Sequence, residues 1–167
     1  MSDPYEEIVN GERVLRLPPR ARHEEILERL HKRVAGAVSG LATTRMLPPR
    51  ARLNFSAENA FCPDLALVTA ATNKVWLIAE IVSSDDHHAD TVDKKSIYEE
   101  LKLPRLWMID PRYDNVEIYH GTPYGLSLKR VLAGRELLTE GLLPGFQFAI
   151  HELFAGTPGG EPGRYDF

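Results

Sequence analysis

Two carboxylates in this sequence stand where a carboxylate needs a reason. Glu80 interrupts Val75-Trp76-Leu77-Ile78-Ala79-Glu80-Ile81-Val82, a run otherwise wholly apolar. An unpaired charge buried in such company costs several kcal/mol. Asp64 follows Pro63 and heads a second apolar run, Leu65-Ala66-Leu67-Val68, sixteen residues earlier (80 − 64). Carboxylates meeting across a hairpin of these two runs could hold a hard divalent cation, which removes their mutual repulsion. Mg²⁺ uses one or two carboxylates and keeps waters for phosphate chemistry, where it activates water and stabilises the leaving oxygen. The competing reading of Glu80 is a structural ion pair with an arginine.

Chemistry of this kind also wants a positive group near the attacking water or the developing charge. Val82, two residues after Glu80, cannot supply one; Lys94 can, if the following helix turns back over the sheet. Asp90, Lys94 and Tyr98 sit at i, i+4 and i+8, one stripe of that helix. Asp90 before Lys94 is equally the favourable spacing of an ordinary surface ion pair.

The elements that must position these groups follow from periodicity. Residues 1–20 read as an irregular lead-in ending in Leu17-Pro18-Pro19. Ile26, Leu27, Leu30, Val34 and Val38 recur at helical spacing over 21–38, with Gly40 as a stop. Residues 45–52 read as a Pro-containing connection. Residues 61–69 and 74–83 read as a strand pair joined by the turn Ala70-Ala71-Thr72-Asn73, the second strand central and buried. A polar loop over 83–89 leads to a helix over 90–101. Strands then follow at 105–110, 116–120, 126–131 and 143–148, with a short helix at 151–154 and a Gly/Pro-rich, flexible tail over 155–167. The helix between Glu80 and Trp107 makes a βαβ crossover and so two parallel neighbours in an otherwise mixed sheet.

Composition bounds the setting. The chain has 167 residues, 43% hydrophobic and 26% charged, which fits one soluble domain. No run reaches the roughly 18 apolar residues that span a bilayer. The acidic N-terminus lacks the order of a signal peptide. A single cysteine, Cys62, excludes an internal disulfide framework and a multi-Cys zinc site, and a cytoplasmic setting is expected. No Gly-rich loop followed by Lys-Ser or Lys-Thr occurs, so no nucleotide cofactor is expected. The net charge of −4 argues mildly against wholesale nucleic-acid binding, yet ten Lys and Arg residues crowd positions 13–52. Arg20, Arg22 and Arg29 are the candidates for a DNA-binding face; a solvated helix surface is the plainer reading.

The ordered motifs resemble the restriction endonuclease-like family of the PD-(D/E)xK nuclease superfamily, long catalogued as a domain of unknown function. They are Leu17-Pro18-Pro19 with His23 and Ile26, Pro63-Asp64-Leu65-Ala66-Leu67-Val68, Leu77-Ile78-Ala79-Glu80-Ile81-Val82-Ser83, Asp90-x-x-x-Lys94-x-x-x-Tyr98-Glu99, Leu103-Pro104, Leu106-Trp107-Met108-Ile109-Asp110-Pro111, Val116-Glu117-Ile118-Tyr119 and Leu143-Pro144-Gly145-Phe146. The resemblance covers roughly 10–154. It implies an α/β fold with a restriction-endonuclease-like mixed sheet flanked by helices, a single domain over 1–167, and a homodimer. Asp64 and Glu80 would be Mg²⁺ (or Mn²⁺) ligands. Lys94 would be the superfamily's lysine, moved onto the helix from the position now held by Val82. His23, Glu24, Glu25, Asp90 and Tyr98 are accessory candidates, with Glu24 or Glu25 matching an extra acid near the metal. Where that family has Ser-Pro-Ser-Thr, this chain has Ser83-Ser84-Asp85-Asp86-His87-His88.

The expected function is Mg²⁺-dependent hydrolysis of DNA phosphodiester bonds. A catalytically inactive module for DNA binding or protein assembly is the alternative, and a hydrolase of RNA or a small phosphoester is a third class. Three eye-catching groups have plainer readings. Asp85-Asp86-His87-His88 is read as a solvated loop rather than a transition-metal site. Cys62 is a small residue at a strand start rather than a nucleophile, and Trp76 and Trp107 are core rather than base-stacking platforms.

Overall fold

The computed structural model describes residues 3–83 and 89–156; of Ala89 and Asp90 only the backbone is described. In chain order the elements begin with β1 (Tyr5–Val9), β2 (Glu12–Arg16), α1 (Ala21–Val38), β3 (Thr44–Met46), β4 (Leu53–Asn54) and β5 (Ala60–Phe61). β6 (Leu65–Thr69) and β7 (Val75–Ile81) follow. A π-helical turn (Ala89–Asp93) then runs into α2 (Lys94–Glu100). The last part holds β8 (Arg105–Asp110), β9 (Asn115–Thr122), β10 (Gly125–Ala133), β11 (Leu137–Thr139), β12 (Gln147–Ala149) and α3 (Ile150–Leu153).

The main sheet has six strands in the order β10-β9-β8-β7-β6-β3. All neighbours are antiparallel except β7 and β8, the pair joined through α2. Both faces of its centre are covered, which is why β7 reads as a continuous apolar run rather than an alternation. Leu77, Ala79, Ile81, Trp107 and Ile109 face one core with Ile26, Leu30 and Val34 of α1 and with Ile150 and Leu153 of α3. Ile78, Val82, Leu106 and Met108 face the other with Phe61, Ile97, Tyr98 and Val9. Trp107 and Trp76 are core residues, Trp107 stacked on Phe146. Among the described residues no helix is long and apolar enough to cross a membrane.

The lead-in is not irregular. β1 and β2 form a hairpin whose two-residue turn, Asn10-Gly11, has φ of 50° and +81°. This is the left-handed pair that tight hairpins of right-twisted strands require. The hairpin belongs to a second sheet, β2-β1-β5-β4, stacked on the α2 face. Two further expectations are corrected. Thr44–Met46 adds an edge strand to β6 within what reads as a connection. The strand expected at 143–148 starts only at Gln147, because Pro144 and Gly145 (φ +78°) form a turn first, and it pairs with β11. The loop residues Asp85–His88 and positions 157–167 of the tail lie outside the described residues.

Candidate active site

The hairpin register brings the two carboxylates to one end of the sheet. Leu65 pairs with Ala79, so Asp64 and Glu80 are the next partners along β6 and β7. Asp64 lies at the mouth of the pair, where its side chain takes over a ladder bond: the Ile81 N–H donates to Oδ2 at 2.8 Å. His23 from α1 shares a proton with Oδ1 at 2.9 Å, and Arg50 Nε stands 3.5 Å from that same oxygen. Two turns further along α1, His31 Nε2 donates to the Asp64 carbonyl at 2.7 Å, which ties the helix to the strand start.

Burial alone would raise the Asp64 pKa and lower that of His23. Their mutual attraction, helped at Asp64 by Ile81 and Arg50, outweighs this, so Asp64 is held below its ordinary 3.8 and His23 above its ordinary 6.5. The stabilisation is complete between those values, lost as pH falls through the lowered Asp64 pKa, and lost as pH rises through the raised His23 pKa. Thermal midpoints of the metal-free protein are therefore expected to fall as pH rises above 6.5, and His23→Gln should flatten that limb. Parallel pH profiles for the two proteins would refute the pairing.

Glu80 is held from the opposite layer. Tyr98 donates to its Oε1 at 2.5 Å, and Lys94 Nζ lies 2.7 Å from the same atom. Residues 94 and 98 share one face of α2, so one helix delivers both groups. Lys94 is only 1% exposed, sits 5.2 Å from the centre of the Phe61 ring, and has a second acid, Glu7 of β1, at 3.1 Å. Glu7 in turn receives Arg16 at 2.8 Å and the Cys62 N–H at 2.7 Å. The site is thus two linked chains of charge: Arg16, Glu7, Lys94 and Glu80 on one side, and Glu24, Arg50, Asp64 and His23 on the other.

A protein-family profile described as "Uma2: Putative restriction endonuclease" matches residues 2–151. The chain belongs to this family. Its fold is similar to that of a crystal structure of "a putative nuclease belonging to DUF820" from Anabaena variabilis, with a TM-score of 0.77 at 16% identity. The match covers 92% of this chain and 91% of that one. No curated protein matches the chain. The restriction-endonuclease-like mixed sheet expected from the sequence is therefore the fold this Uma2-family member adopts.

Of the residues singled out in the sequence, Asp64, Glu80, Lys94, Tyr98 and His23 converge. Glu24 joins through Arg50, whereas Glu25 faces Arg29 at 4.0 Å along the helix surface. Of these two acids, Glu24 is the one tied to the arginine that stands beside Asp64. Of Asp90, the side chain lies outside the described residues. Arg22 bonds Asp114 at 2.5 Å, and Arg29 donates to the carbonyls of Leu153 and Ala155, so both guanidiniums are engaged within the chain. Arg20 lies exposed at the start of α1. Cys62 is buried and its thiol is pushed up by burial and by Glu7, contrary to what a nucleophile needs.

Sequence reasoning missed Glu7, Arg16 and Arg50. Asn10-Gly11 was the available clue to the first two, since that dipeptide between alternating residues marks a hairpin. Glu7 then falls between Tyr5 and Val9 on the inward face of β1, as anomalous there as Glu80 is in β7.

Asp64 and Glu80 suit a hard divalent cation in kind: both are carboxylates, nearly buried, and borne on adjacent strands. No group of three His, Cys, Asp or Glu able to hold a metal occurs among the described residues.

Proposed function

We propose that this Uma2-family chain is a Mg²⁺- or Mn²⁺-dependent endonuclease that hydrolyses phosphodiester bonds of DNA. The observation that carries the reading is the convergence of Asp64, Glu80 and Lys94 from three separate segments, with Lys94 at 2.7 Å from Glu80. Asp64 and Glu80 would hold the cation. When bound, the cation lowers the pKa of a water and stabilises charge on the phosphate oxygens. Lys94 supplies a fixed positive charge beside Glu80, where it orients the attacking water and offsets the developing negative charge. Tyr98 fixes the Glu80 carboxylate by donating to one oxygen, and His23 and Arg50 hold Asp64 from the other side. Two copies would address the two strands of a duplex, so a homodimer belongs to the proposal.

One observation favours a second reading, a nuclease-fold module that does not cleave. Every acid of the site already faces a cation of the chain, and Lys94 faces two acids. Titration calorimetry with Mg²⁺ and Mn²⁺ on the wild type, Asp64→Asn and Glu80→Gln, with plasmid cleavage alongside, separates the two. Metal binding lost in both variants together with metal-dependent nicking by the wild type supports the nuclease. No metal binding and no nicking would leave the second reading.

A further inference from the structure

We propose that Glu7 is a positioning residue of this site, holding the Lys94 ammonium beside Glu80 and keeping it there when Glu80 engages a cation. This rests on the nuclease reading above. Glu7 lies 87 positions from Lys94 in sequence and is 0% exposed. Three donors meet its carboxylate: Arg16 on Oε1, and the Cys62 N–H and Lys94 on Oε2. The first two belong to β2 and to the end of β5, the strands flanking β1 in its sheet, so the framework of that sheet fixes the acid independently of Lys94. Lys94 alone arrives from another layer, on α2, and its ammonium bridges the fixed acid Glu7 and the working acid Glu80.

The bridge has a chemical consequence. A lysine on a flexible four-carbon stem would be repelled from Glu80 once that carboxylate carries a divalent cation. Glu7 remains as its partner and confines it to within reach of the same place. In the E-x-K arrangement the strand backbone itself fixes the lysine two residues from the acid. Here Val82 holds that position, and the lysine comes from a helix that the strand does not constrain. Glu7 supplies the missing constraint from the second sheet.

Two measurements on the full chain test this. Reductive methylation read by mass spectrometry reports access to the Lys94 amine in metal-free protein, and plasmid cleavage in Mg²⁺ gives kcat and KM. In Glu7→Gln, Lys94 is expected to methylate about tenfold faster, and kcat to fall roughly 10- to 100-fold, the usual effect of losing an orienting partner. KM for plasmid should stay within about twofold. Glu7→Asp, which keeps the anion but withdraws it by one methylene, should recover part of both losses. In a Lys94→Ala background Glu7→Gln should cost no further kcat, because the acid acts through the lysine.

A cooperatively melting Glu7→Gln protein with wild-type methylation rate, unchanged kcat, or an equal further loss in the Lys94→Ala background overturns the proposal. Should Glu7→Gln not melt cooperatively, Glu7→Asp is read against the same outcomes. A wild-type chain that does not cleave overturns the nuclease reading and the role in turnover with it. The methylation rates then still decide whether Glu7 holds Lys94.

Discussion

Glu80→Gln is expected to lower Mg²⁺-dependent plasmid cleavage by on the order of 10³-fold while leaving the protein folded. The amide keeps the shape of the side chain and an oxygen able to accept from Tyr98, which donates to Glu80 at 2.5 Å. It removes the negative charge a cation needs. Lys94 is not stranded by the change, because Glu7 remains 3.1 Å away. Single-turnover cleavage beside a thermal melt makes the distinction. Cleavage within about tenfold of wild type would remove Glu80 from the reaction. A collapse of the melt would show that its charge is structural.

The second large effect is on stability. Arg16→Met should destabilise the protein by roughly 3–5 kcal/mol, the cost of taking one of its two cations from a fully buried carboxylate. For a chain of this size that lowers the thermal midpoint by about 10 °C. Glu7 is fully enclosed and Arg16, itself 5% exposed, donates to Oε1, the oxygen opposite the one that Lys94 and Cys62 use. Adding Glu7→Gln to Arg16→Met should recover part of the loss, since the oxygen that lost its arginine then belongs to a neutral amide and the two effects are not additive. Urea denaturation of the four proteins closes the cycle. A single-variant loss below about 1 kcal/mol would mean that Lys94 alone suffices for Glu7.

The carboxylate pair was legible because a hairpin is local. Two apolar runs and a short turn set the register, and the register sets Asp64 against Glu80. Lys94 was legible one step less directly: spacing put it on a helix stripe with Tyr98, and only packing of α2 decides that both groups turn toward Glu80 rather than toward solvent. Glu7 carried the same kind of anomaly as Glu80, an acid on an inward-facing position. The anomaly is masked because residues 1–20, which end in Leu17-Pro18-Pro19, read as an irregular lead-in. Arg50 had no local mark. Its place depends on a backbone turn at φ 54° and on Glu24, 26 residues away, and no periodicity encodes such a contact. β3 and β11, three residues each, are shorter than any window in which alternation can be counted.

The N-terminal hairpin also bears on the order in which this protein is made. Its turn is local and its strands pair with each other, so its register is set by residues 5–16 alone, before the sheet it packs on is synthesised. The acid it carries toward the candidate site would then have no lysine, which is still 87 residues from it along the chain. Arg16, on the partner strand of the same hairpin, neutralises Glu7 in the meantime. The hairpin thus brings its own internal counterion to the core. It could dock onto the sheet once α2 is synthesised without ever exposing a lone charge to a closing core.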